Sequence, residues 1–82
     1  MGYVRPLLTV ENFVKGKLAA SIRADIHNRR ITVLHGKRNG TARREVFKHE
    51  TRDAAEERWE TVAAKLIQLG YGRVSNRTRL FA

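Results

Sequence analysis

Basic side chains gather around one short segment of this 82-residue sequence, the Asn39-Gly40 dipeptide. Asn-Gly is a strong signal for a tight hairpin turn, and such a turn holds the side chains on either side of it close together. Lysine and arginine bind nucleic-acid phosphates and gain affinity by releasing counterions. The phosphate-binding site predicted on this basis consists of His35, Gly36, Lys37, Arg38, Arg43 and Arg44, with Arg29 and Arg30 at the other end of the same strand.

The distribution of charge along the chain favours the same chemistry. The net charge is +9, and it is divided into +8 over residues 1–44, −2 over residues 45–69 and +3 over residues 70–82. Segregated positive charge of this size attracts polyanions, above all nucleic acid. If about four phosphates were neutralised, affinity would fall by roughly two orders of magnitude between 50 and 200 mM salt. The alternative is that the charges only keep a small protein soluble.

Other chemistries find little support in the sequence. The three histidines, His27, His35 and His49, lack the spacing of a metal site, and there is no cysteine to join them or to form a disulfide. Ser21 and Ser75 stand in no nucleophile motif. Glu56, Glu57 and Glu60 indicate an acidic helix face and not a catalytic pair. We therefore expect a protein without catalytic activity, cofactor or metal.

A helix over residues 52–69 is the clearest structural signal, because both of its ends are marked. Thr51 supplies an N-cap hydroxyl, and Gly70 can adopt the left-handed conformation that ends a helix. Tyr71 is then placed to fold back onto Leu66. Apolar residues recur at steps of three and four, which places them on one side of the helix. This stripe consists of Ala55, Trp59, Val62, Leu66 and Leu69.

The first third of the chain predicts two strands. Residues 4–10 predict an edge strand that begins after Pro6, since proline cannot donate to a central ladder. Residues 11–16 are interpreted as a connection with a turn at Lys15-Gly16. Residues 17–26 alternate between apolar and other side chains, which favours a strand. A helix is the alternative there, because Val14, Leu18, Ile22 and Ile26 are four residues apart.

The remaining elements follow from turn signals and β-branched residues. Residues 27–29 predict a tight turn in which Asn28 tolerates a positive φ. Residues 30–36 include the run Ile31-Thr32-Val33, which is typical of a strand. Residues 43–48 form the returning strand of the hairpin, with a register that the sequence leaves open. Residues 73–82 are either a last short strand or a basic tail.

Together these elements predict an α+β fold, a small antiparallel sheet of about four strands with the helix at residues 52–69 packed on one face. A chain of this length forms one domain, here residues 1–82. The start lacks the pattern of a signal peptide, and no apolar run reaches the ~18 residues of a membrane span. We therefore expect a cytoplasmic protein that has no membrane partner.

An ordered set of motifs extends over residues 17–72. The triplet His35-Gly36-Lys37 ends one strand, a glycine-containing turn follows, and the next strand ends in Phe47. A polar link then leads to a helix with Ala55 in its first turn and with Lys65 and Gly70-Tyr71 toward its end. This order resembles the WGR domain, a small module of poly(ADP-ribose) polymerases and of various bacterial proteins. The family is named for a Trp-Gly-Arg triplet, which corresponds to residues 35–37 here.

The resemblance implies DNA binding at the triplet. In the members that bind DNA breaks, the tryptophan and the arginine face the nucleic acid, and this sequence has His35 and Lys37 at those positions. Histidine stacks with less area than tryptophan. Lysine meets phosphate as a point charge, without the bidentate fork of arginine. The resemblance thus implies binding through electrostatic contact more than through readout of a DNA end.

The residues and the resemblance agree on one function. We expect a non-enzymatic module that binds nucleic acid, with DNA favoured, through its hairpin and its basic tail. The alternative is a protein-interaction module that docks on an acidic partner or on itself. That alternative predicts an exposed apolar patch on the uncovered sheet face, and the sequence leaves the oligomeric state open.

Overall fold

The chain folds into a five-stranded antiparallel sheet with one helix packed on one of its faces. The structure is a computed structural model, and it describes residues 8–82. The elements in chain order are β1 (Leu8–Lys15), β2 (Leu18–Asp25), β3 (Arg30–Lys37), β4 (Ala42–Lys48), α1 (Arg52–Gln68) and β5 (Gly72–Val74). Their order across the sheet is β4-β3-β2-β1-β5. The predicted α+β fold is confirmed.

Strand β1 corrects two predictions. It continues through residues 11–15, which the sequence analysis assigns to a connection, and it lies between β2 and β5 and not at an edge. The polar residues in the middle of β1 interrupt the apolar pattern by which a strand is predicted. Buried Asn12 accepts a hydrogen bond from Ser21 Oγ at 2.8 Å, and Glu11 Oε2 accepts one from Arg73 Nε at 3.0 Å. These partners come from distant parts of the chain, so no local pattern reveals the strand. Residues 4–7 of the predicted strand lie outside the described residues.

Strand β2 confirms the extended interpretation of residues 17–26. Ala20, Ile22 and Ala24 point toward the helix and are fully buried. Ala19 and Ser21 point to the other side and are nevertheless 0% and 4% exposed. The alternation therefore predicts the strand correctly, whereas burial on both sides depends on the end of the chain, which crosses the sheet there.

The turn between β2 and β3 forms where it is predicted, but its positive φ of 57° belongs to Arg29 and not to Asn28. Asn28 binds Asp25 instead. Its Nδ2 donates to Asp25 Oδ2 at 2.8 Å, and its backbone N–H donates to Oδ1 at 3.2 Å. Both hydrogen bonds lower the pKa of the Asp25 carboxyl, and the one from the Asn28 side chain has the larger effect. The positive charge of Arg30 lowers this pKa further.

Helix α1 has the ends that the sequence predicts. Thr51 Oγ1 accepts a hydrogen bond from the Ala54 N–H at 3.1 Å, which caps the first turn. At the other end Gly70 has a φ of 99°, and the Tyr71 N–H donates to the Leu66 carbonyl at 3.0 Å. This is the left-handed ending in which glycine is favoured.

The apolar stripe of the helix is mostly correct. Ala55 is fully buried, and Trp59, Val62 and Leu66 are partly buried against the core. The prediction that Leu69 belongs to this stripe is wrong. It is 52% exposed, because the helix ends at residue 68 and the chain turns away. The core between helix and sheet consists of Phe13, Ala20, Ile22, Ala24, Ile26, Ile31, Val33, Ala55 and Ala63.

Register divides the strand residues between two faces, because cross-strand partners lie on the same side of a sheet. We name the side beneath α1 the helix face. It carries Ile22 with its partner Val33, and Ala20 with its partner His35. We name the opposite side the open face. This face carries Val10, Asn12, Ser21, Arg23, Asp25, Arg30, Thr32, Leu34, Arg44, Val46 and Lys48.

The end of the chain crosses part of the open face. After β5, residues 75–82, here named the tail, run back toward the β3–β4 hairpin. Asn12 Nδ2 donates to the carbonyls of Ser75 at 3.3 Å and Thr78 at 3.0 Å, and Leu80 is only 4% exposed. The sequence predicts either a short strand or a basic tail for residues 73–82, and the structure has both. The three-residue strand β5 is followed by an arm that is anchored to the sheet.

Candidate nucleic-acid interface

The tip of the β3–β4 hairpin is held from two sides. The Arg38 N–H donates to the Lys17 carbonyl at 2.7 Å, which joins the tip to the β1–β2 turn. The Asn39 N–H donates to the Leu80 carbonyl at 2.7 Å, which joins it to the tail. Asn39 itself has a φ of 65°, within a loop of four residues between β3 and β4. The tip is therefore a fixed platform for the basic side chains around it.

Gly36 is required by the backbone of this hairpin. A Cβ atom at this position would lie 2.6 Å from the Thr41 carbonyl oxygen, far inside a normal contact. Gly36 is among the binding residues predicted from the sequence. Two strands approach each other closely at this position, which explains why it has no side chain.

Register separates the basic residues that the sequence groups into one site. His35 pairs with Arg43 on the helix face, and Lys37 lies on that face two residues farther along β3. Arg44 pairs with Leu34 on the open face. The remaining predicted residues lie apart: Arg30 on the open face beside Asp25, Arg38 at the hairpin tip and Arg29 in the β2–β3 turn.

Two of the predicted site residues have partners within the chain. His35 Nε2 lies 3.1 Å from Glu45 Oε1 on the helix face, and both side chains are exposed. Arg29 Nη1 donates to the Glu50 carbonyl at 3.1 Å, and the His49 N–H donates to the Arg29 carbonyl at 2.9 Å. Arg29 thereby fixes the link between β4 and α1, which is a structural role.

Three arginines converge on the open face. Arg23, Arg30 and Arg44 line a shallow depression of about 410 Å³ around Thr32 and Leu34. All three are exposed, and within residues 8–82 their side chains make no hydrogen bond or ion pair. Opposed charges are scarce here, since Asp25 is the one carboxylate among the described strand residues of this face. Asp25 also lines the depression, so its charged side chains are three arginines and one carboxylate.

The depression continues beneath the tail. A second cavity of about 630 Å³ lies between the tail and the sheet, and it shares Arg23 and Leu34 with the depression. We name the two together the open-face groove. Asn12 and Ser21 lie in its wall, 5% and 4% exposed, and Arg79 and half-buried Phe81 of the tail line the same cavity.

Sequence reasoning missed Arg23, Lys48 and Arg79. The alternation of β2 already places Arg23 on the side opposite Ile22, but its position beside Thr32 follows from the β2–β3 register. Lys48 pairs with Arg30 across β3 and β4, and this register could not be fixed from loop length. Arg79 reaches the groove only because the tail folds back.

Two arginines on the helix side of the sheet lie near aromatic rings. The Arg58 guanidinium lies 4.6 Å from the centre of the Phe47 ring, and the Arg73 guanidinium lies 5.5 Å from that of Phe13. Arg73 also binds Glu11. Helix α1 itself carries four acidic and three basic side chains, Asp53, Glu56, Glu57 and Glu60 against Arg52, Arg58 and Lys65. Its outer surface is thus mildly acidic, whereas the open face is basic.

Neither a metal site nor a membrane span is found in the described part of the chain. Residues 8–82 contain no group of three histidine, cysteine, aspartate or glutamate side chains that could hold a metal ion. Helix α1, the helix within that range, is neither long nor apolar enough to cross a bilayer.

Comparison with known proteins identifies a similar fold. A crystal structure of a protein from Bacteroides fragilis superposes with a TM-score of 0.72 at 19% sequence identity. The match covers 88% of this chain and 22% of the other, so the chain spans about a fifth of that protein's length. At this identity the likeness shows the fold alone. No family model matches the chain, and no curated protein matches it.

Proposed function

We propose that this chain is a non-catalytic, WGR-like module that binds nucleic acid, with DNA favoured, through the basic surface around its β3–β4 hairpin. The observation that carries the proposal is a cluster of three exposed arginines on one face. Arg23 and Arg44 have no partner among residues 8–82, and Arg30 lies opposite Asp25. Unpaired arginines side by side repel one another, and a polyanion relieves that repulsion while releasing its own counterions.

The fixed hairpin supports the proposal as well. Arg38 and Asn39 are tied to neighbouring segments through their backbone N–H groups. Side chains carried by a fixed backbone lose less freedom on binding than side chains of a mobile loop. Lys37, the last residue of the triplet that carries the family resemblance, and Arg38 after it are both exposed at this tip. The tip thus adds two cations at one end of β3, and Arg30 lies at the other end of that strand.

The experiment is a fluorescence anisotropy titration of labelled single-stranded, duplex and nicked DNA at 50 and 200 mM salt. We expect binding that weakens by roughly two orders of magnitude across this range, for about four phosphate contacts. The double variant Arg38→Gln, Arg44→Gln is expected to bind at least tenfold more weakly. The matched control, Arg52→Gln with Lys65→Gln on the helix, removes the same charge and is expected to bind within twofold of the parent.

Two results would contradict the proposal. One is the absence of salt-dependent binding to every oligonucleotide. The other is an equal loss in the hairpin and helix variants, since that would mean that net charge alone, and no particular surface, attracts the nucleic acid.

A protein-interaction role is the second candidate. Leu18 and Leu69 are 43% and 52% exposed. Lys15, the cross-strand partner of Leu18, donates from its Nζ to the Leu69 carbonyl at 2.6 Å. Exposed apolar residues of this size are candidates for contact with another protein. Light scattering distinguishes the two roles. A mass that rises with protein concentration and is unchanged by DNA would favour this one.

A further inference from the structure

The open-face groove has two kinds of surface in one place. Arg23, Arg30 and Arg44 supply positive charge, and half-buried Leu34 lies among them. Phe81 of the tail lines the continuation of the groove. A phosphate backbone can use the arginines, but only exposed bases can use the apolar surfaces. Single strands offer both, whereas a duplex hides the faces of its bases within the stack.

We propose that this groove binds a single strand of nucleic acid, with phosphates on Arg23 and Arg44 and bases against Leu34 and Phe81. The inference rests on the proposed function and narrows it to one face and one form of ligand. From β1 to β4 the groove crosses four strands, or about 14 Å at ordinary strand spacing. A short stretch of single strand fills this width, and arginine planes add stacking surface for its bases.

The groove is formed before any ligand arrives. Its tail wall is anchored by a buried chain of hydrogen bonds, in which Ser21 Oγ donates to Asn12 Oδ1 and Asn12 Nδ2 donates to the Thr78 carbonyl. The Ala82 N–H donates to the Gly40 carbonyl at 3.0 Å, which fastens the end of the wall. A preformed groove avoids the entropy that a disordered segment loses on binding.

The chain offers a matched pair of residues for the test. Arg43 and Arg44 are neighbours in β4, both are exposed, and their side chains point to opposite faces. Arg44 borders the groove, whereas Arg43 lies beside His35 on the helix face. Replacing either one by glutamine removes one positive charge from the same strand, so any difference reports which face holds the ligand.

Anisotropy titrations would compare labelled oligo-dT, a duplex of equal charge and a polyglutamate peptide. We expect Arg44→Gln to weaken oligo-dT binding about tenfold and to reduce the salt slope by about 0.7, the value for one single-strand phosphate. Arg43→Gln should weaken oligo-dT binding less than Arg44→Gln does, because Arg43 lies on the helix face. Arg52→Gln on α1, which removes the same charge, should stay within twofold of the parent. Phe81→Ala should cost about tenfold for oligo-dT, with the salt slope and duplex binding unchanged. Circular dichroism would check that each variant is folded.

The possible outcomes distinguish a failure of the groove assignment from a failure of the proposed nucleic-acid binding. Equal losses in Arg43→Gln and Arg44→Gln, or tighter binding of duplex than of oligo-dT, overturn the groove assignment while nucleic-acid binding stands. Polyglutamate that competes as well as oligo-dT overturns it too, because charge alone would then explain the site. Absence of binding to both oligonucleotides overturns the proposed function itself.

Discussion

The helix face of the sheet is packed beneath α1, whereas the open face carries exposed arginines. On the helix face, Ile22 and Val33 are buried under α1, and at its margin Arg73 is bound to Glu11 and lies near the Phe13 ring. On the open face, Arg23 and Arg44 project into a groove without partners among the described residues. The helix face buries most of its apolar side chains beneath α1. The open face leaves charge unmatched, as expected of a surface that meets a ligand.

Neighbouring residues in β2 show how sharply the two faces divide. Ile22 is fully buried under the helix, and Arg23, one residue later, is exposed in the open-face groove. Stability and binding should therefore respond to different substitutions.

Substitution Ile22→Ala should destabilise the fold by about 2–5 kcal/mol, because it removes buried methyl groups and leaves a cavity beneath α1. Arg23→Gln should change the free energy of unfolding by less than about 0.5 kcal/mol, as is usual at an exposed position. Urea denaturation monitored by Trp59 fluorescence measures both. A comparable loss of stability in the two variants would break the comparison between the faces.

Substitution Leu80→Ala should cost about 2 kcal/mol, near the low end for buried leucine, since the tail can relax around the gap. The tail should then detach from the sheet while β1 to β4 remain paired. Hydrogen exchange at the Asn39 and Ala82 N–H groups, which bond across tail and hairpin, reports this directly. Unchanged protection of both amides would contradict an anchoring role for Leu80.

The smallest effect concerns the carboxylate of the open face. Hydrogen bonds from Asn28 lower the pKa of Asp25 in the folded state, so they stabilise the fold above the unfolded pKa. That contribution is lost as pH falls through the lowered folded pKa, in the acid range below about 4. In an NMR titration, Asn28→Ala should raise the Asp25 pKa toward its ordinary value. A pKa that does not move would show that Asn28 is not the cause.

Local signals allowed much of the fold to be predicted from sequence. The cap at Thr51, the ending at Gly70 and the alternation of β2 each depend on residues near in the chain, and each prediction was correct. Strand β1 was missed because Asn12 and Glu11 interrupt its apolar pattern. They are tolerated there through Ser21 and Arg73, which lie 9 and 62 residues away.

The site was harder to predict than the fold for a related reason. The basic residues near the hairpin form a group in the sequence, but the alternation of side chains along β4 places Arg43 and Arg44 on opposite faces. The β2–β3 register places Arg23 beside Thr32, and the fold of the tail adds Arg79. Both depend on long-range pairing, which composition and spacing do not encode.

The most direct test of the division between faces is an NMR titration of the isotope-labelled chain with a short single-stranded oligonucleotide. The amide and side-chain signals of Arg23, Thr32 and Arg44 should move as the oligonucleotide is added, while those of residues 52–68 in α1 should stay in place. Movement concentrated on the helix, or equal movement on both faces, would contradict the claim that the open face is the binding surface.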